Sequence, residues 1–491
     1  MDYSASNVVL WNAIFQVGII SVMVIVSNIL RTKIKFVRKT LMPTSVIAGF
    51  LLLGFKYLNI VKVDRTFLDM ITYHGIAIGF IAMSLRVHKK GDTSNSTVGT
   101  AVRSGALIVS TYCIQAVIGL AISLGLAYTI KPDLFKAAGI LLPMGFGQGP
   151  GQANNVGSTY ESLGFAGGKS YGLAVAAAGF IVACLVGVVY LNVLSRKNKI
   201  HREDHKDLHG SVTIDIFQDE EEAPVSESID RLSIQAALIL FVYLITYLVI
   251  WGVTSLLNSK LPGLGATLNP LLWGFNFIIA SLFAILTRKV ILKMKKLKLM
   301  QHQYQNNYLL SRISGLAFDA MIISGIASID FNDISGLWLP FILTIVVGTI
   351  VTFIYLKIMC KIVYKGYEEE GFISMFGMLT GTISSGILLV REVDPNFKTP
   401  AANNLVSGSG MGIAFGAPIL ILIGLAPKST GMAFAVIGLS LLYFAILLLI
   451  LTIKKSPNTA AAAVAGSFAA DDGDDEQVSS VNVGQNETEN E

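Results

Sequence analysis

Charge is what this sequence has least of. Asp, Glu, Lys and Arg make up 14% of its 491 residues, against roughly 25% in ordinary soluble proteins. Cysteine is nearly absent as well. The three present (Cys113, Cys184 and Cys360) lie within or beside apolar segments and have no metal-ligand spacing. That pattern excludes a disulfide scaffold and reads as buried, inert thiols. The sequence has no His-Glu-x-x-His, no Gly-x-Ser-x-Gly and no paired intramembrane acids at matching depth, so no enzyme chemistry is supported. The net charge of +5 sits in short loops between apolar runs, which speaks against a nucleic-acid partner. The chain begins Met-Asp without a basic leader region, so no cleavable signal is expected and the first apolar run stays as a helix.

What is present in excess is apolar length. Hydrophobic residues form 53% of the chain, and runs near 20 residues recur along almost all of it, the mark of a polytopic membrane protein. Eleven full spans are predicted, at about 8–30, 41–58, 67–87, 98–130, 169–194, 233–257, 267–287, 309–328, 336–360, 402–424 and 430–453. Two glycine-broken segments, 137–165 and 368–395, are left over. Cytoplasmic loops carry an excess of Lys and Arg, and loops 31–39, 88–97, 195–231 and 288–298 are the basic ones. All four fall on one side only if both broken segments enter and leave the membrane on the same face. The N-terminus is then outside and the C-terminus cytoplasmic, with the cell membrane as the expected location.

A repeat lies beneath this topology. Asp69 to Ala77 echoes Asp319 to Ala327, and Leu41-Met-Pro43 and Leu268-Asn-Pro270 open matching second spans. Five crossings in the first half turn the second half upside down, the inverted-repeat plan. The expected fold is an all-α polytopic membrane protein of two inverted-topology repeats, with about eleven transmembrane helices and two re-entrant hairpins. The first repeat covers 1–199 with its hairpin at 137–165. A polar cytoplasmic linker follows at 200–231. The second repeat covers 232–429 with its hairpin at 368–395, an extra helix occupies 430–454, and a disordered acidic tail runs over 455–491.

The broken segments carry the candidate chemistry. Gly145, Gly147, Gly149 and Gly151 alternate, and Pro150 removes a backbone donor and stops a helix. Irregular backbone at membrane depth survives only inside protein or along a wet cavity. Half-helices ending near the midplane point N–H groups at an anion, and unwound carbonyls and hydroxyls can coordinate sodium. Gln148, Gln152, Asn154 and Asn155 supply amides for a substrate, and Arg391 could clamp a carboxylate. Thr380, Gly381, Thr382, Ser384 and Ser385 form the candidate sodium cluster. Asp319, mid-span, is the ionisable candidate beside them; a structural pair with Arg312 is the alternative. For the glycine run the alternative is close helix packing. His74 reads as a packed, hydrogen-bonded histidine.

Gly-Phe-Gly-Gln-Gly-Pro-Gly-Gln-Ala at 145–153, followed by Tyr160-Glu161, resembles the re-entrant motif of bacterial sodium–glutamate symporters. Gly377, Gly381 and Gly386 ahead of Arg391-Glu392 look like its partner, and Met83-Ser84-Leu85-Arg86 also fits. The resemblance implies a sodium-coupled carrier of glutamate or a related anionic amino acid or small carboxylate, with hairpins in a mobile, elevator-like transport domain. Sodium is the implied coupling ion and no other cofactor is expected; the lipid bilayer surrounds the chain, and a homodimer is one assembly it admits. Three departures stand out: Gln148 lies near the position of the family's histidine, the second hairpin is Thr/Ser-rich, and the last span is extra. A proton-coupled carrier or sodium–proton exchanger is the competing mechanism, and an ion channel with re-entrant pore loops the competing class.

The topology is open to cysteine labelling in intact cells. Residue 293 is expected to react only from the cytoplasmic side and residue 332 only from outside. The opposite pattern at either position refutes the arrangement.

Overall fold

The computed structural model describes residues 8–87, 95–196, 231–274, 276–300, 304–394 and 399–452. The expected tail at 455–491 lies outside them, as does the expected linker at 200–231 except for Arg231. Among the described residues the chain is helical throughout, with no strand. In order the helices are α1 (Val8–Lys33), α2 (Lys35–Lys39), α3 (Thr44–Tyr57), α4 (Arg65–Leu85) and α5 (Asn95–Thr129). A single 3-10 turn at Ala138–Ile140 leads into α6 (Leu141–Phe146), α7 (Pro150–Ser162) and α8 (Gly168–Arg196). Then come α9 (Arg231–Lys260), α10 (Pro262–Gly274), α11 (Asn276–Lys296), α12 (Asn307–Ala327) and α13 (Trp338–Val363). The chain closes with α14 (Glu368–Thr380), α15 (Ile383–Arg391), α16 (Ala401–Leu425) and α17 (Thr430–Thr452).

Eight of these helices are long and apolar enough to cross a bilayer: α1, α4, α5, α8, α9, α12, α13 and α17. The three remaining expected spans differ from simple crossings. The 41–58 segment yields only the 14-residue α3, about 21 Å of helix against a core of about 30 Å. Pro43 explains the late start, because its ring excludes helical geometry from the residue before it. The 267–287 segment straddles the junction of α10 and α11, and α16 bends by 53° between Gly412 and Ala414.

Sidedness within single helices identifies the solvent as lipid. On α13, Ile342, Val346, Ile350, Ile354 and Ile358 are exposed, one per turn, while Thr344, Gly348, Thr352 and Leu356 face inward. On α9, Leu240, Leu244, Leu248 and Trp251 are exposed while Gln235, Thr246 and Thr254 are buried. Large apolar side chains outside and small or polar ones inside invert the soluble pattern, since lipid tails reward the first and punish the second. The buried hydroxyls of Thr246 and Thr254 bond back to the Val242 and Ile250 carbonyls at 2.8 Å. The protein is a helical membrane protein.

Packing sorts the helices into two groups. α4 and α12 cross closely, with α3 laid on α12, α11 on α4, and α1, α9 and α10 around them. The second group gathers α6, α7, α14 and α15 between α5, α8, α13, α16 and α17. Glycine makes the approaches close. A methyl built on Gly79 of α4 would stand 2.4 Å from the Phe318 ring of α12. One built on Gly119 of α5 would stand 2.1 Å from the Gly139 carbonyl oxygen, a backbone that cannot swing aside.

That last contact gives a test. Gly119→Ala is expected to destabilise the protein by about 1–3 kcal/mol through overpacking. Gly125→Ala, on the same helix with nothing within 4 Å, is expected to be neutral or slightly stabilising. Thermal melts of the two variants in detergent compare them directly, and equal melting temperatures would refute the packing account.

Candidate functional site

Both broken segments fold into helical hairpins. A methyl on Gly172 of α8 would lie 2.7 Å from the Ala153 carbonyl oxygen of α7 and 3.3 Å from Leu141 of α6. Gly145 instead faces Val175 and Ala176, one turn further along α8. The chain therefore runs along α8 in α6 and returns in α7, with its tip at Gly147–Gly149. Gly149 has φ 83° and ψ −173°, a region open essentially to glycine alone. Pro150 then starts α7, where its missing N–H is no loss. In the second hairpin, a methyl on Gly377 would stand 2.8 Å from the Gly386 Cα, so α14 and α15 lie side by side. Its tip is Gly381–Thr382.

The two tips meet. Gly179, near the middle of α8, faces both: a methyl there would lie 2.3 Å from the Thr380 carbonyl oxygen and 3.0 Å from the Phe146 ring. From Gly149, the corresponding position is 3.5 Å from the Thr382 methyl and 3.8 Å from the Gly381 carbonyl oxygen. Half-helices α7 and α15 thus begin at one point and diverge. Neither Gly149 nor Thr382 provides a side-chain cap, so their first-turn N–H groups concentrate partial positive charge there. α6 and α14 end at the same point and bring carbonyl dipoles to it.

Neighbouring helices satisfy part of this broken backbone. The Tyr112 hydroxyl of α5 donates to the Gly147 carbonyl at 3.1 Å. The Gln115 amide donates to the Leu379 carbonyl at 3.1 Å and to the Thr352 hydroxyl of α13 at 3.0 Å. Four side-chain oxygens around the starts of α7 and α15 are buried and without a partner among the described residues: those of Gln152, Thr382 and Ser385, and of Asn154 in the second turn of α7. Leaving such atoms unpaired costs about 1–3 kcal/mol each, which marks the junction as a place suited to a polar ligand.

The candidate residues divide accordingly. Gln148, half-buried, and Gly149, Gly381 and Thr382 sit at the tips, with Gln152 and Ser385 buried just behind. Gly145, Gly147 and Gly151 are packing glycines instead, pressed on Val175, on the Tyr112 ring, and on Ile76 and Met321. Asn155 donates to the Gly274 carbonyl at 2.8 Å, fastening α7 to the end of α10, and the Asn154 amide leans on Asn155 at 3.4 Å. The Thr380 hydroxyl is committed to the Phe376 carbonyl at 2.7 Å. Ser384 is exposed.

Two candidates are not brought to the junction. Met321 and Gly325 of α12 touch the first hairpin, and the helical period turns Asp319 about 160° from Met321 and about 120° from Gly325. Asp319 is exposed beside Ser45 of α3. No ion pair joins it to Arg312 among the described residues; that guanidinium lies over the Tyr308 ring at 4.9 Å. Arg391 ends the nine-residue α15 and is exposed, about 13 Å from the tip by helical rise. His74 is hydrogen-bonded to the Tyr243 hydroxyl at 2.6 Å from an exposed position on α4.

The sequence reading passed over Gly179, Tyr112, Gln115 and Thr352. Gly172, Gly179 and Gly187 follow one another by seven and eight residues, which places them on one face of α8. That glycine face was a readable signal for a close-packed surface. No family model matches the chain, and no curated protein matches it.

Gly149 separates conformation from crowding. Alanine fits the space there but not the backbone angle, so Gly149→Ala is expected to cost about 1–3 kcal/mol. Thermal melts that match those of the unmodified protein would mean the tip is not held in this conformation.

Proposed function

We propose that the chain is a secondary active transporter: a sodium-coupled symporter of glutamate or a related anionic amino acid or small carboxylate. The observation that supports it most is the meeting of two hairpin tips at Gly179, halfway along a membrane-crossing helix. The uncapped N-termini of α7 and α15 suit the substrate's carboxylate, with Gln148 and Gln152 as the nearest amides. Sodium, a hard cation, is assigned to Thr382 and Ser385 and to the carbonyls that end α6 and α14. The assignment omits Asp319 and Arg391, which lie elsewhere. The sequence resemblance to sodium–glutamate symporters is what favours glutamate among the anions.

The proposal includes two inverted repeats, an outside N-terminus and a cytoplasmic C-terminus in the cell membrane. Reciprocal packing supports the repeats: α3 rests on α12 as α11 rests on α4. Gly75 of α4 faces Met321 of α12, and Gly325, its counterpart in the matched segments, faces Thr72. With the hairpins in one helix group and α4 and α12 in the other, alternating access becomes movement of one group against the other.

Uptake of radiolabelled glutamate into proteoliposomes, with and without a sodium gradient, tests the reading. Thr382→Val and Ser385→Ala are each expected to raise the half-saturating sodium concentration about three- to tenfold, the loss of one hydrogen-bond-strength contact. Asp319→Asn is expected to leave it within about twofold, because its side chain is turned toward Ser45 of α3 and away from the α12 residues that touch the hairpin. Uptake driven by a pH gradient in sodium-free buffer overturns the sodium assignment and favours proton coupling.

A further inference from the structure

The two hairpins are not equally enclosed. Pro150 to Gly157, the opening turns of α7, are all buried. Its neighbours include α4, α10 and α12 from the other helix group, besides α8. The opening turns of α15 are different. Thr382, Ile383, Ile387 and Leu388 are half-buried and Ser384 is exposed. α15 packs on α8, α14 and α16, and among the described residues neither α4 nor α12 lays a comparable surface over it. The opening turns of the first hairpin are thus covered by the other helix group, and those of the second are not.

A charged network closes the covered side. Arg65, first residue of α4, donates from Nη2 to Asp333 Oδ2 at 2.8 Å and to Ser170 Oγ at 3.0 Å. Ser170, on the first turn of α8, donates to the same Asp333 oxygen at 2.8 Å. One turn along α4, Asp69 Oδ2 takes Lys169 Nζ at 2.5 Å, and its Oδ1 accepts from Ser328 at 3.0 Å. The Tyr57 hydroxyl donates to Asp330 Oδ1 at 3.2 Å and accepts the Phe331 N–H at 2.7 Å. Gly167, at φ 75°, presses on this loop so closely that a methyl would sit 2.2 Å from the Asp333 carbonyl oxygen. Burial pushes the Asp333 carboxyl up, but Ser170 and Arg65 outweigh it and hold the carboxyl below its ordinary value. A depressed carboxylate keeps its stabilising charge above that ordinary value and loses it only as acid protonates it, so Asp333 keeps its charge at neutral pH.

We propose that the Arg65–Asp333 and Lys169–Asp69 pairs are a lock that holds the start of α8 against α4 and the α12–α13 loop, closing the substrate junction on this face. This rests on the carrier reading. Lys169–Asp69 joins the two helix groups directly, α8 belonging to one and α4 to the other. Arg65–Asp333 is tied to α8 through Ser170, which bonds to both of its members, so the groups separate here only if these contacts part. Charged pairs suit a contact that must open and re-form, because water at the membrane face takes over their solvation when they part. Arg65 and Asp333 keep 34% and 31% of their side chains exposed, already in reach of that water. An apolar seam would have no comparable substitute partner on opening.

Thr72 reports on the lock without transport. It is fully buried one turn below Asp69, with its methyl 3.6 Å from the position of a Gly325 side chain. The test uses full-length Thr72→Cys with Cys113, Cys184 and Cys360 replaced by alanine, in liposomes exposed to a membrane-impermeant maleimide. Adding Asp69→Asn with Asp333→Asn is expected to raise the labelling rate at least about tenfold, from one face only, as local opening becomes easier. Exchanging the pair, Lys169→Asp with Asp69→Lys, is expected to restore protection to within about threefold, which a general loosening of the fold would not do. Rapid labelling with the lock intact, an unchanged rate on neutralisation, or no protection in the exchanged variant each overturns the proposal. Labelling reads access rather than uptake. A lock that behaves as described in a protein that transports neither glutamate nor related anionic amino acids or small carboxylates refutes the carrier reading alone.

Discussion

Unpaired backbone at membrane depth is the constraint on which the rest of this structure depends. A helix that stops inside the bilayer strands N–H and carbonyl groups where no lipid can take their hydrogen bonds. The chain stops twice, at Gly147–Gly149 and at Gly381–Thr382, and both stops are tolerated because protein surrounds them. Tyr112 and Gln115 of α5 supply donors to one carbonyl at each break. α8 supplies a position with no side chain, so that Phe146 and the Thr380 carbonyl both reach Gly179. α5, α8 and α13 are thus a scaffold for two defects, and the defects are where ligand chemistry becomes available.

The same constraint explains why so many glycines line the interior. Each close approach of backbone to backbone brings in van der Waals contact that side chains would prevent. Gly145, Gly147 and Gly151 of the first hairpin serve this purpose against α8, α5, α4 and α12. Gly149 alone among them is required for its backbone angle. Within a single conspicuous motif, packing and conformation are therefore divided between adjacent residues, and only the second is bound up with the tip itself.

Charge has a similarly narrow distribution. The junction of the hairpins is built from amides, hydroxyls and helix ends, while ion pairs stand away from the tips, at the end of α4 and, as Lys357–Glu369, between α13 and the first turn of α14. A site of neutral dipoles can receive an anion and a cation together without a fixed charge to be desolvated when it is empty. Full charges at the rim keep water within reach and can be parted and rejoined.

Most of the architecture was legible in the residues, because lipid imposes a strong and one-dimensional code. Runs of about 20 apolar residues gave the long helices, and Gly and Pro inside such runs gave the position of both breaks to within a few residues. Composition could not show that 41–58 forms only a 14-residue helix or that 267–287 straddles a helix junction, since hydropathy is blind to where Pro43 delays the start of one helix and Gly274 ends another. The site was legible only in part. Gln148, Gln152, Thr382 and Ser385 could be picked out because polar residues in an apolar segment are conspicuous along the chain. Asp319 and Arg391 were conspicuous for the same reason yet lie elsewhere, Arg391 because it ends α15 nine residues beyond Thr382, Asp319 because the direction a side chain points depends on which helix face the tertiary packing buries. Gly179, Tyr112 and Gln115 show the reverse. Nothing in their immediate sequence sets them apart, and they matter only because folding lays α5 and α8 across two distant breaks. The sequence by itself determined that this chain crosses a membrane and where its helices must fail. The meeting of those failures was decided by tertiary structure alone, since residues 149 and 382 share no local signal and are joined only by the packing of the helices between them.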